Sequence, residues 1–424
     1  MSKKFYFFLS VIALLGVTAL TSCCSDEPVV PPVQPVADEA PASRSVSDAE
    51  AIALALAEGR GGESRFGEQV FVDGVVALTE SNSRSGSDTL LYAVNYADNK
   101  GFVLVAAPLA AEPIIGYTEQ GTFDEAKAAE NPGFSFYLDA AKSYVVSRDT
   151  IGTKIIIDPS SPIETWQRIP FKIWTEWGRS FPEGEYCDNG DAGCTQVAMA
   201  QMMTYLQKPT SMQYTYSNRD INSENLNWEN LARHTKSITL GIFSANYAGQ
   251  IHIDECPADE AAHNTIARVC RQLGELNGAE YNKVKDGGTI ASIESANQTF
   301  KSLLPNNAIS PIKQFAATEY EAIFNSMVNK DVVLLIEGLD SSNRKHAWVC
   351  DGGERIIVTQ RLALAGGGYE TVEISRKTYF RFNWGWCGAE NGNFLAGVFN
   401  SPMISTTEMR GTYDQNVRYF SVHK

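Results

Sequence analysis

Gly190-Asp-Ala-Gly-Cys194-Thr-Gln-Val-Ala-Met-Ala-Gln-Met-Met-Thr-Tyr-Leu206 is the stretch around which the rest of the chain is organised. Ala192 and Gly193 leave open space around the thiol of Cys194 as the chain turns into the next element. Val197, Ala198, Gln201, Met202 and Tyr205 then recur at helical spacing, and Pro209 marks the stop. This places Cys194 in the first turn of a helix. There the unpaired N–H groups and the positive end of the helix dipole favour a thiolate, the nucleophilic form of cysteine. Two readings stay open on this stretch alone: a nucleophile, or a small residue buried in a core of alanines and methionines. A nucleophile needs a base from elsewhere in the chain.

With 424 residues, 44% apolar and 20% charged, the chain is long enough for two or three globular regions. A net charge of -15 argues against a nucleic-acid partner, since no broad face would neutralise phosphates. Lys3 and Lys4 precede an apolar run over 5–20, shorter than a bilayer span and ordered like a secretion signal. The run ends in Leu20-Thr-Ser-Cys23, which resembles a bacterial lipobox. Residues 1–23 therefore read as a lipoprotein signal with Cys23 as the lipid-bearing residue. Residues 24–44, rich in Pro, Val and Ala, read as an extended tether. Ser25-Asp-Glu27 resembles the signal that sends some lipoproteins to the surface of outer-membrane bacteria. The expected location is the outer membrane, at the cell surface or released after processing.

Residues 45–146 form the first expected folded region. Ser47-Asp-Ala-Glu50 has the form of a capping box, opening an Ala/Leu-rich helix that stops at Gly59. Strand-like runs come next at 69–78, 90–96 and 102–107, the last two joined by the turn residues Asp98-Asn-Lys-Gly101. An amphipathic helix over 134–146 closes the region. It contains no His and no Cys, so the chemistry must lie elsewhere. A linker over 147–165 comes after it, with Asp158-Pro-Ser-Ser-Pro162 as an exposed turn.

The remainder carries all five histidines and six of the eight cysteines. Trp166, Trp174 and Trp177 cluster ahead of the cysteine helix. Helices are expected over 258–276, 290–304 and 319–328, then a strand over 332–336. The spacings of His252, Cys256, His263 and Cys270 fit no familiar zinc pattern, so neither a metal nor another cofactor is expected. The base comes from His346-Ala-Trp-Val-Cys-Asp-Gly352, a short apolar strand that ends in a turn. His346 lies about 150 residues after Cys194, near the separation seen in papain-type enzymes. Farther on, a strand delivers Asn383-Trp-Gly-Trp386 into a glycine-rich loop, where a side chain can orient or cover the imidazole.

Together these three stretches resemble the streptopain family of papain-clan cysteine peptidases, in the lipoprotein form of Bacteroidetes. The likeness runs from about Trp166 to the C-terminus, and 45–146 resembles that family's inhibitory prodomain, notably Leu91-Tyr-Ala-Val-Asn-Tyr-Ala-Asp-Asn-Lys-Gly-Phe-Val-Leu-Val105. The resemblance implies an α+β fold: a papain-like peptidase domain over 166–424, with a helical half and an antiparallel β half, behind a small α+β prodomain. It implies a secreted or surface-anchored cysteine endopeptidase made as a zymogen, acting on protein or peptide substrates and inhibited by its own prodomain. Cys194 takes the nucleophile's place and His346 the base's. Asn383 or Trp384 takes that of the group orienting the histidine, and Gly193, Ala347 and Trp386 border the substrate cleft. One departure stands out. Where the family has Trp-Gly-Gln, with the Gln at the oxyanion hole, this chain has Trp177-Gly-Arg179. The charged Arg179 is a candidate oxyanion donor. It is also the one support for an alternative, a catalytically weak homologue that binds peptide at the surface. Cys187 and Cys387 are either bridged or free in an oxidising compartment.

Overall fold

A computed structural model describes residues 43–58, 69–79, 89–149, 163–216, 222–232, 259–282, 288–304, 309–340, 344–363, 369–402 and 412–424. The expected signal, lipid cysteine and tether to residue 42, the turn at 158–162, and His252 and Cys256 lie outside these residues.

The first region opens with helix α1 (Val46–Glu58). Its capping pair is Ser45 and Asp48, each accepting the other's backbone N–H, two residues earlier than the Ser47/Glu50 pair expected from sequence. Strands β1 (Val72–Thr79), β2 (Thr89–Tyr96), β3 (Phe102–Ala106) and β4 (Ile114–Thr118) form an antiparallel meander. Asp98 and Asn99 supply the left-handed backbone that turns β2 into β3. After the short α2 (Glu125–Glu130) comes α3 (Pro132–Asp149). Strand β3 is buried at all five positions. One of its faces meets the α1 residues Ala49 and Ala53, and the other meets the α3 aromatics Phe134 and Tyr137.

The second region contributes β5 (Ile163–Ile169), α4 (Cys194–Leu206), a small β6/β7 ribbon (Ser211–Gln213 and Ser223–Asn225), α5 (Glu260–Asn277), α6 (Ile293–Leu303), β8 (Lys313–Gln314) and α7 (Ala317–Asn329). Strands β9 (Val332–Leu339), β10 (Lys345–Ala363), β11 (Tyr369–Asn383), β12 (Gly392–Leu395) and β13 (Val417–His423) complete it. Asp259 and Ser292 cap α5 and α6, and Gly278 ends α5 in a left-handed turn. Helix α4 is buried on all sides except at Cys194 and Tyr205, as its apolar circumference requires, and packs on α5, α6, β9 and β10.

Two features were not legible in the sequence. The strand carrying His346 does not end at Gly352. It passes a bulge between Cys350 and Gly352 and runs on to Ala363, because glycines there let neighbouring strands approach: a Cβ on Gly353 would lie 2.5 Å from the Tyr379 carbonyl oxygen. And β4 pairs with β12, so one antiparallel sheet runs β1-β2-β3-β4-β12-β11-β10-β9-β13-β8, with β5 also on β10. Residues 41–424 accordingly form one compact unit. A single aromatic core joins Phe134, Phe136 and Tyr137 of α3 to Trp348, Phe382, Trp384, Phe394 and Phe399. Cys187 and Cys387 are both free thiols, which answers the question of a bridge between them. His263 and Cys270 lie in α5, packed among its neighbours.

Candidate active site

Gly193, in a positive-φ conformation (φ 87°) natural to glycine, is the N-cap of α4, and its N–H donates to Asp191 Oδ1 at 2.7 Å. The turn presents Cys194 at the first helical position. On the other side, β10 pairs His346 with Gly338 of β9. The next N–H along β10, that of Ala347, donates to the Cys194 sulfur at 3.4 Å. Nucleophile and base candidates thus meet where the helix tip faces the sheet. Cys194, His346, Ala347, Arg179, Trp384, Gly385 and Trp386 line one small cavity there.

Arg179 is held by its own backbone, whose carbonyl accepts the Ala192 N–H at 2.7 Å. Its guanidinium lies 4.7 Å above the Trp386 ring and 3.6 Å from Asp191. Its Nε is buried and makes no hydrogen bond. Asn383 does not reach the imidazole as one of the two sequence options required. Its amide nitrogen donates to the Thr175 carbonyl and to Gln201, and its oxygen accepts from Gly385 N–H, so it ties the Trp384–Gly385 turn to α4. Trp384 does line the His346 cavity. Its indole N–H donates to the Glu390 carbonyl at 2.8 Å, and its ring packs on Trp348, Phe382 and Phe394.

The remaining cavity wall comes from the first region. Pro132 and Gly133, the first residues of α3, line it opposite the peptidase residues, and the space left is about 10 Å³, room for no more than about one water. Gly133 is required there, since a Cβ would lie 2.8 Å from the Trp384 ring. Asn131 caps α3 through its oxygen on Phe134 N–H and donates to Glu390 Oε2 at 2.7 Å. Sequence reasoning missed Asn131, Pro132, Gly133, Asp191 and Gln201. An Asn-Pro pair before an apolar helix signals a helix start, but nothing in it tells which site the start enters.

In this closed arrangement burial disfavours the charged form of both groups. Burial pushes the Cys194 thiol up, outweighing the pull of Arg179 and of the Ala347 N–H. Burial, then the Arg179 charge, lowers His346 to about 4. Burial raises Glu390 to about 7, with its Asn131 hydrogen bond opposing.

Comparison with known proteins gives this arrangement a context. A profile of the peptidase C10 family matches residues 173–394, and one of the Spi protease inhibitor matches residues 44–145. The chain is 24% identical to the thiol protease/hemagglutinin PrtT of Porphyromonas gingivalis over 78% of its own length, a stretch that spans only 36% of that protein. It is 23% identical to streptopain of Streptococcus pyogenes over 76% of this chain and 77% of that one. Among solved structures, a fragment of prointerpain A from Prevotella intermedia superposes with a TM-score of 0.51 at 16% identity, covering 82% of this chain and 98% of that one, a likeness of fold. The family profile spans more than half of the chain and takes in both Cys194 and His346: this protein belongs to the peptidase C10 family, behind a region of the Spi inhibitor type.

Proposed function

We propose that the chain is an exported, lipid-anchored cysteine endopeptidase made as a zymogen, with Cys194 as nucleophile and His346 as general base. The observation that carries this reading is the meeting of Cys194, at a helix N-terminus, with the His346–Ala347 strand in one cavity that Pro132 and Gly133 help to line. In the opened enzyme the Cys194 proton moves to the imidazole and the sulfur attacks the peptide carbonyl carbon. The carbon–nitrogen bond then breaks, and the leaving amine takes the proton from the imidazolium. Water, deprotonated by His346, releases the acyl group and restores the thiol. The Cys194 N–H and Arg179 are the donors suited to the transient oxyanion. Trp384 shields the imidazole, Asn383 holds the turn beneath it, and Gly193, Ala347 and Trp386 border the path of the substrate chain.

The N-terminal features extend the reading. The charged-then-apolar leader and the lipobox support lipidation at Cys23, and the acidic residues after it support display on the outer membrane, with the peptidase released once the linker is cut. Protein or peptide substrates and the chain's own first region are then the two classes of occupant for the cleft. In the processed protein, iodoacetamide should label Cys194 and abolish hydrolysis, and Cys194→Ala or His346→Ala should each be inactive but folded. Hydrolysis that survives either substitution sinks the assignment.

A further inference from the structure

Gln196 is fully buried in the first turn of α4, and among the described residues neither its amide oxygen nor its amide nitrogen has a hydrogen-bond partner. An amide buried in this way is costly unless a second arrangement uses it. Its place in the helix says which. Gln196 is the third residue after the N-cap Gly193, the position from which a Gln side chain accepts the N-cap's own backbone N–H. The oxygen already stands beside that residue, since a Cβ on Gly193 would lie 2.6 Å from Gln196 Oε1. The Gly193 N–H is taken instead by Asp191 Oδ1.

A second unpartnered group faces the same carboxylate. Arg179 Nε is buried and unbonded, and Arg179 Nη1 stands 3.6 Å from Asp191 Oδ2, beyond the about 2.7–3.2 Å of a hydrogen bond. One carboxylate thus caps Gly193 while a buried acceptor and a buried donor near it go unused. The Asp191 backbone is fixed: its carbonyl accepts from Thr289 Oγ1 at 2.7 Å, its N–H donates to Asn189 Oδ1 at 3.1 Å, and the next N–H, that of Ala192, donates to the Arg179 carbonyl. An exchange therefore needs only the side chain to turn. Turned toward Arg179, the carboxylate accepts from the guanidinium, and Gln196 Oε1 takes over the Gly193 N–H.

We propose that Asp191 and Gln196 exchange the cap of α4 when the first region leaves, which makes Gln196 a positioning residue that acts through Arg179. This rests on the peptidase reading above. In the closed state Arg179 shares its small cavity with Pro132 and Gly133, and its guanidinium stays on the Trp386 ring. In the opened enzyme Asp191 grips one edge of the guanidinium, and because that group is a rigid planar fork, its other edge is then aimed in a fixed direction, at the oxygen that becomes negative.

The test compares the near-isosteric Gln196→Met with the parent, in the unprocessed chain and in the processed enzyme. The unprocessed variant should melt at the parent's temperature or above it, because no hydrogen bond of the amide is lost there. The processed variant should have kcat about 10-fold lower with KM nearly unchanged, since Asp191 must then stay on Gly193 and Arg179 is left ungripped. That loss should vanish in an Arg179→Ala background, where the double variant turns over as fast as Arg179→Ala alone. A kcat equal to the parent's, or losses that multiply in the double variant, overturns the exchange alone. So does a lowered melting temperature of the unprocessed variant, which would show the amide already bonded in the closed state. A processed parent that hydrolyses no peptide overturns the peptidase reading itself.

Discussion

Arg179 presents a positive charge to a thiol and an imidazole at once, and this has a measurable signature. Its field favours the thiolate and disfavours the imidazolium, so it holds both groups at lower pKa values than they would otherwise have. Arg179→Gln should therefore move both limbs of the kcat/KM profile of the processed enzyme toward higher pH, a shift that a merely structural role would not produce. Arg179→Ala, which also removes the donor, should lower kcat by about 10-fold or more with little change in KM. Superimposable pH profiles for the parent and Arg179→Gln would remove the residue from the electrostatics of the site. At this scale the sequence was legible in one respect: it paired Cys194 with His346, and the fold brings both to one cavity. It was not legible for Asn383, because the partner of a buried amide depends on which chain segments fold around it, and here they are Thr175 and Gln201.

Helix α3 acts through its first turn. With Gly133 against the Trp384 ring, Gly133→Val has no room in the closed state, and the unprocessed variant should hydrolyse a small peptide substrate measurably faster than the unprocessed parent. Equal rates would mean that the plug lies elsewhere. The neighbouring Asn131–Glu390 contact adds a dependence on pH. Burial raises the Glu390 carboxyl to about 7 in the closed state, whereas an opened, hydrated carboxyl titrates near the usual glutamate value. The closed state thus binds the proton more tightly, so this group favours closure at acid pH and loses that contribution as the pH rises through about 7. His346, depressed to about 4, works in the opposite sense: its neutral form favours closure, and falling pH favours opening. Glu390→Gln should remove the first dependence alone, leaving processing between pH 6 and 8 slower and flatter than in the parent. A variant that keeps the parent's rise over that range would exclude Glu390 as its source. Most elements here were readable from caps and periodicity, as in α1, α4 and α5. Strand β4 was not, because Ile-Ile-Gly-Tyr-Thr is buried along most of its length and shows no alternation.

Across the molecule, the first region is built into the peptidase's own sheet and core. Beyond the β4–β12 ladder, Tyr137 donates to the Leu395 carbonyl, Tyr117 to Glu354 and Gln120 to Glu176, and Ser401 donates to the Ala140 carbonyl. A single cut between 150 and 162 breaks none of these contacts. The nicked chain should therefore elute as one particle, remain inactive, and separate only in denaturant or after further digestion of the first region. Full activity on nicking alone would contradict that coupling. The sequence pointed to two regions because composition changes sharply after Asp149. It held no sign that they share a sheet, since strand pairing over such separations is decided by packing rather than by local pattern.

Strand β5 begins at Ile163 and is hydrogen-bonded to β10 from Ile163 opposite Thr359 through to Ile169 opposite Gly353. A strand paired in this way resists trimming, because trimming requires an extended, detached terminus. Whatever bond is cut first, the ragged ends should be worn back toward one boundary, and mass spectra of ageing enzyme should show the terminal ladder shortening until it stalls close to Ile163. Trp166, packed against the large aromatic core, lies just beyond that stop. A ladder that stalls there would mean that β5 pairing, rather than the sequence at the activating cut, fixes the mature terminus.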